Sequence, residues 1–361
     1  MRSVRCKCDK SGAERLVHLQ CRYKWLYPLI NGNVFTEPQQ THTFRKGIKA
    51  MTEKTRKQIE NMKLQSYGVE VEMTGITRAK AARTAAAYFG TRRWKNTADK
   101  NRYCTYSAWD AGDREWKFSR DSSILGPDNE KCELITPVLK GDADMELLQG
   151  LVRALRKAGG RSCPSLGTGV HVHIGGDGHT PQTIRNLVCM MAAHEDQLTK
   201  AIGIGAYRQE RYCKTVDPDF LERLNKIKPQ TKEELARCWY NGPVQASRYS
   251  PTRYRMLNLH SYFTRYETIE FRCFNFDEPS EERKGGLHAG QLKAMIQLCL
   301  AMSELAKEIK YASPKKQQTE NEAYAFRCWM LRLGFISDEF KTARDYFMRN
   351  FEGNSAYRHA A

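Results

Sequence analysis

Three short stretches of the chain place reactive groups two residues apart. They are Glu70 and Glu72 in the run Tyr67 to Met73, His171 and His173 in the run Gly169 to Ile174, and Glu270 and Arg272 in the run Thr268 to Cys273. Successive side chains of a β-strand point to opposite faces, so each pair shares a face. Val69, Val71, Val170, Val172, Ile269 and Phe271 point the other way, as a core face requires. Taken singly, a polar-x-polar strand is an ordinary half-solvated strand. Three of matching chemistry are more than that. Carboxylates and imidazoles on one face can hold a divalent cation, and an added guanidinium suits phosphate.

The elements that must carry these groups are read from period and punctuation. A strand at 67–73 is followed by an Ala-rich helix over 78–89, with Thr77 as its N-cap. Two short strands, 103–109 and 116–119, are split by the hairpin signal Asp110 to Asp113, and a third, 133–137, ends at Pro137. Met145, Leu148, Leu151, Val152 and Leu155 recur at helical spacing over 142–157, ahead of Gly159 and Gly160. After the His strand, Thr180-Pro181 opens a helix to about residue 202. The stretch 206–250 reads as loop, 254–263 and 266–276 as strands, 282–310 as a long helix and the last fifty residues as helical. Without a βαβ repeat, the class is α+β, built on antiparallel-type strands.

The order of the E-x-E strand, the G-x-G-x-H-x-H strand and the late E-x-R strand resembles the glutamine synthetase and glutamate-cysteine ligase superfamily, in particular its amidoligase branch. Further segments resemble that branch: Trp116 to Ser123 its W-x-x-x-x-D-x-S, Glu133 to Pro137 its E-[IL]-x-[ST]-P, and Arg253 to Asn258 its R-Y-x-x-[LV]-N. The resemblance runs from about Tyr67 to Phe276. It implies a curved, mainly antiparallel sheet forming a glutamine synthetase-like funnel, flanked by helices. It also implies an ATP-dependent carboxylate-amine ligase working through an acyl phosphate at Mg²⁺, with Mn²⁺ an alternative because imidazole is a poor ligand for the harder ion. Glu70, Glu72, Glu133, His171 and Glu270 supply enough ligands for two metals. The resemblance gives His173 to the ATP phosphates and Arg272 to the phosphoryl group in transfer.

Substrate recognition is less defined. Lys117, Arg253 and Arg255 are candidates to grip a carboxylate or phosphate, with solvated surface charge as the equal alternative. Asp121 could hold the amine and take its proton, or simply cap the Asp-Ser-Ser turn in which it sits. Trp116 and Phe118 read as core. No P-loop is present, and no Ser or Cys nucleophile lies in a hydrolase motif. The same ligands could serve a metal-dependent phosphotransferase or hydrolase, and a non-catalytic binding module using the basic arm is the remaining reading.

Charge separates an arm from the rest. The chain has 361 residues and a formal net charge of +18. Residues 1–66 hold 14 Lys and Arg against 5 Asp and Glu, a net +9 and thus half of the total. We read residues 1–63 as a basic, Cys-containing extension and 64–361 as the catalytic domain, with 52–63 as a surface helix or linker. The arm suits an acidic partner or simple solvation; no nucleic-acid motif appears, so contact with nucleic acid would be non-specific. Cys6, Cys8, His18 and Cys21 could bind Zn²⁺, although C-x-C is not the usual knuckle spacing and free thiols are the alternative. No apolar run approaches a membrane span and the N-terminus lacks a signal-peptide core, so a cytoplasmic protein with reduced cysteines is expected.

Overall fold

Among the described residues nine strands form one sheet, and every named pairing within it is antiparallel. In chain order they are β1 (Ser66–Met73), β2 (Trp94–Asn96), β3 (Tyr106–Trp109), β4 (Glu115–Ser119), β5 (Cys132–Ile135), β6 (Leu139–Lys140), β7 (Val170–Gly175), β8 (Leu257–Asn258) and β9 (Thr268–Phe274). Across the sheet the order is β2-β3-β4-β5-β1-β7-β9-β8, with β6 beside the start of β1. The computed structural model describes residues 51–98, 103–245, 250–281 and 285–358. The Zn²⁺ candidates Cys6, Cys8, His18 and Cys21, and the basic arm through residue 50, lie outside the described residues.

Ten helices complete the described residues: α1 (Glu53–Leu64), α2 (Arg78–Tyr88), α3 (Gly141–Lys157), α4 (Pro181–Ile202), α5 (Ala206–Arg211), α6 (Pro218–Ile227), α7 (Lys232–Tyr240), α8 (Ala289–Glu308), α9 (Glu322–Arg332) and α10 (Lys341–Met348). The class is α+β, as expected. Caps set several boundaries. The Thr77 side chain accepts from Lys80 N at the start of α2, and Thr180 with Thr183 closes a capping box at α4. α8 is buried nearly all round, packs directly on β7, and meets α1, α3, α4 and α10 on its other sides.

One face of the sheet is the core. Val69, Val71, Trp116, Phe118, Leu134, Val172, Ile174 and Phe271 are all buried there, with α2 against β3 and β4. The cross-strand register assembles the other face. Glu70 lies opposite His171, Glu72 opposite Glu133, His173 opposite Glu270, and Glu270 opposite Asn258. Between Val170 and Val172 the β7–β9 register shifts, so that Arg272 and Cys273 together face His171. This is a β-bulge in β9.

The long helix expected over 282–310 begins at Ala289, the short strands β2 and β6 were not expected, and three further departures bear on the site and the core. Residues 206–250 hold three helices rather than loop; Asp217 ahead of Pro218 and the Thr231 to Glu234 capping box start two of them. Residues 254–263 form only the two-residue β8 and a 3₁₀ turn, because Arg253 and Tyr254 are turned by a 3₁₀ turn at Pro251. Finally, α1 is not merely superficial. Ile59 and Met62 enter the core and Gln58 Nε2 donates to the Arg332 carbonyl at 3.0 Å. Among the described residues no helix is long and apolar enough to cross a membrane.

Candidate active site

The polar face of β5, β1, β7 and β9 gathers four glutamates and two histidines. Glu70 is the hub: its Oε2 lies 2.9 Å from His171 Nδ1, and its Oε1 lies 3.5 Å from His173 Nε2. Glu270 Oε1 stands 3.7 Å from His171 Nδ1 and 3.9 Å from His173 Nε2. His173 Nε2 is buried and makes no hydrogen bond, while its Nδ1 meets Thr268 Oγ1 at 3.2 Å. Glu72 Oε2 accepts from Gly169 N at 2.6 Å. Three overlapping triads result, each with donor atoms within 4.8 Å of one another: Glu70–His173–Glu270, Glu70–Glu133–His171 and Glu72–Asp121–Glu133. Glu70 belongs to the first two and Glu133 to the last two.

The electrostatics of the cluster suit a cation. Burial pushes the Glu133 carboxyl up, and Glu70, Glu72 and Asp121 push it further, to well above the ordinary range. Burial also raises Glu72. Burial would raise Glu70 too, but the neighbouring His171 and His173 imidazoles outweigh it and hold that carboxyl well below its usual value. At Glu270 burial is outweighed by Arg272 and the two imidazoles, which bring it down to about 2. Burial lowers the His173 imidazole, yet Glu270 and Glu70 together leave it raised. A cluster this rich in buried carboxylate, holding an imidazole nitrogen without a hydrogen bond, fits a divalent cation by its donor chemistry.

Arg272 enters from β9. Its Nη1 donates to Glu270 Oε1, and its guanidinium lies 5.8 Å from the centre of the Tyr254 ring. Asn258 Nδ2 donates to Glu270 Oε2, and Asn258 Oδ1 accepts from His260 N at 2.8 Å, which fixes the amide's orientation.

The remaining sequence candidates sit differently. Asp121 Oδ1 accepts from Ser123 N and Oγ at 2.7 and 2.6 Å, the expected turn; the residue nevertheless reaches Glu72 and Glu133. Lys117 shares the polar face, in the cross-strand row Lys117–Ile135–Glu70, but is half-exposed and 3.4 Å from Glu115. Arg253 lies over Tyr254 at 5.6 Å from the ring centre. Arg255 turns to Asp217, the N-cap of α6, and to the Thr215 carbonyl at 3.0 Å; the structure does not bring it into the carboxylate cluster. Trp116 and Phe118 are core residues, as expected.

Sequence reading gave no role to Asn258 or Tyr254, although both stand in a segment quoted above, and read Gly167-Thr-Gly169 only as a weak candidate for backbone approach to phosphate. A lone amide inside Met256-Leu-Asn-Leu259 was the available signal for Asn258. Nothing local in the sequence marks Arg208.

No curated protein matches the chain. Among solved structures, the chain resembles a bifunctional glutathione synthetase from Pasteurella multocida at 14% identity and a TM-score of 0.36, over 82% of this chain and 48% of that one. The chain therefore spans about half the length of that protein. Residues 63–303, two-thirds of the chain and every residue of the cluster, match the family described as "putative amidoligase enzyme". The chain belongs to the amidoligase family.

Proposed function

We propose that the protein is an ATP- and metal-dependent carboxylate-amine ligase that forms an amide or isopeptide bond through an acyl phosphate. The observation that carries this reading is the row of three donor triads, shared through Glu70 and Glu133, with one guanidinium set among them. A single-cation hydrolytic site does not need that length of anionic surface. A triphosphate laid along a sheet does, because charge develops at several oxygens at once.

In this reading Glu70, Glu72, Glu133, Glu270 and His171 hold Mg²⁺ or Mn²⁺. The metal, when bound, neutralises the phosphate oxygens and aligns the γ-phosphoryl group. The acid's carboxylate oxygen attacks the γ-phosphorus and ADP leaves. The amine then attacks the acyl carbon, phosphate departs, and the amine's proton passes to Asp121. His173 faces the phosphates. Arg272, held by Glu270 and the Tyr254 ring, is aimed at the equatorial oxygens of the group in transfer, where a rigid fork serves better than a point charge. Lys117, along the same face from Glu70, suits a remote anionic group of a substrate. Arg253 lies over the Tyr254 ring that also meets Arg272, and Arg255 acts at the wall formed by α6. The catalytic unit is residues 64–361, braced by α1.

The test is a condensation screen. Full-length protein is incubated with ATP, Mg²⁺ or Mn²⁺, a pool of amines, and glutamyl and aspartyl acids, and products are read by mass spectrometry. A product equal to acid plus amine less water, formed only with ATP and metal, supports the reading. ADP formation with no such product, over a broad pool that includes peptides, removes it.

A further inference from the structure

Arg208 lies on α5, outside every segment that resembles the amidoligase motifs, yet it is joined to the strand that carries Arg272. Its Nη2 donates to the carbonyls of Arg272 and Phe274, both at 3.1 Å. The first carbonyl belongs to one of the two bulge residues that oppose His171, and the second to the residue that restores the register with β7. Backbone carbonyls at such an irregularity need donors, and here a side chain from a separate element supplies one. The bulge has a consequence for the site. Strict alternation from Glu270 would put Phe274 on the polar face beside Arg272; the extra residue instead sets Phe274 opposite Val170, in the core, while Arg272 stays against Glu270.

Gly169 is the second part of the same junction. A Cβ on Gly169 would stand 2.0 Å from Arg208 Nη2 and 2.4 Å from its Cζ, so only glycine leaves room for the guanidinium. The Gly169 N–H at the same point is the donor to Glu72 Oε2. The Gly167-Thr-Gly169 loop thus opens, at Gly169, onto an arginine of the chain itself.

We propose that Arg208 is a positioning residue for Arg272: it clamps the β9 bulge, with Gly169 as the gap that admits it, and through the bulge sets the direction of the Arg272 guanidinium. The inference rests on the ligase reading for the importance of Arg272; the clamp itself is a matter of geometry and is tested separately from turnover.

The experiment compares full-length wild type, Arg208→Ala, Arg208→Lys, Gly169→Ala and the Gly169→Ala/Arg208→Ala double variant. Amide hydrogen exchange over 270–275, thermal stability and ATP turnover with the substrate pool are measured on each. In Arg208→Ala, exchange should rise over 271–274 and not over 69–72. Its kcat should fall roughly tenfold to a hundredfold, as a misplaced catalytic group costs, with KM for ATP little changed. Arg208→Lys can reach a single carbonyl and should fall between. Gly169→Ala alone should be the most damaging, because its methyl group evicts the guanidinium. The double variant should recover to the Arg208→Ala level in stability and in exchange, since the methyl then fills vacated space. Unchanged exchange over 271–274 in Arg208→Ala, or losses that simply multiply in the double variant, would overturn the clamp. A raised KM for ATP at unchanged kcat would also overturn it and make Arg208 a nucleotide-binding residue. If wild type shows no ATP turnover, the ligase reading fails, and the exchange and stability results still decide the clamp.

Discussion

The two faces of β1, β7 and β9 are both largely withdrawn from water, the polar one less completely at Glu70 and His173, and are built for opposite purposes. On one, Phe271 is 1% exposed and Val71 is fully buried; on the other, Glu270 is 4% exposed and Arg272 and His171 are each 5% exposed. Burial stabilises the first set by removing apolar surface from water. It penalises the second, where carboxylates crowd one another and Glu133 is driven toward its protonated form. The same strands therefore carry a face that holds the fold together and a face that the fold must tolerate. A protein keeps such a face where function needs it.

The comparison is broken most sharply by substituting neighbours on one strand. Glu270→Gln and Glu70→Gln remove charge and keep shape, and each should nearly abolish ATP turnover. Both changes also break buried pairs, whereas Glu133→Gln in the metal-free protein should lose little thermal stability, because the carboxylate repulsion that raises Glu133 is relieved. Phe271→Ala, on the core face beside Glu270, should instead cost about 3–5 kcal/mol of stability relative to wild type, measured like Glu133→Gln by denaturant unfolding. Near-normal turnover in Glu270→Gln would remove that residue from the metal set. Equal destabilisation by Glu133→Gln and Phe271→Ala would erase the distinction between the faces.

Arg272→Lys keeps the charge and loses the fork. A loss of order ~10²-fold in rate is expected, with a smaller effect on ATP affinity. Equal losses in the two would make Arg272 a binding residue rather than a transition-state stabiliser.

A smaller effect sharpens the comparison by moving away from the cluster. His179, at the start of α4, bonds Ser303 Oγ at 2.8 Å and Thr183 Oγ1 at 3.0 Å, and burial with Lys307 nearby lowers its pKa to about 3. Burial lowers His194 and His288 in the same direction. For such a group the unfolded chain takes up a proton as pH falls through about 6.5 while the folded protein does not. Its stabilising contribution is complete above that pH and is lost progressively toward pH 3. Urea unfolding should show about 1–2 kcal/mol less stability at pH 5 than at pH 7 from His179, and His179→Asn should flatten that slope. An unchanged slope would place the acid sensitivity in the carboxylate face instead.

The smallest effect concerns the arm. Because α1 packs into the core from Thr52 onward, a truncated chain should begin at Met51. It should fold and turn over small substrates. It should lose affinity only for a large acidic acceptor, and that loss should shrink as salt rises. A folded but inactive truncation would assign the arm to the active site.

Much of the carboxylate face was legible in advance because its information is local. Period-2 pairing puts Glu70 with Glu72 and His171 with His173 whatever the rest of the fold does, and the motif order placed their strands together. What was not legible is long-range. The β9 bulge is invisible in Thr268 to Phe274, where alternation predicts a regular strand, and Arg208 comes from a segment read as loop. The ion pair of Arg255 with Asp217 depends on α6, whose capping signal was present at Asp217-Pro218 but outweighed by the surrounding polar composition. The Glu133 carboxylate was found by motif, while its strained ionisation appears only once Glu70, Glu72 and Asp121 are assembled around it.

The central claim is that a carboxylate oxygen is phosphorylated on this face, and isotope transfer tests it most directly. Full-length protein would be given ATP, Mg²⁺ or Mn²⁺, the amine pool, and glutamyl and aspartyl acids labelled with ¹⁸O in their carboxylates. The released phosphate would then be analysed by mass spectrometry. The account predicts one labelled oxygen in phosphate for each amide formed. Unlabelled phosphate accompanying ADP would contradict it and make the site a hydrolase, and transfer of the phosphoryl group to a stable product without amide would make it a phosphotransferase.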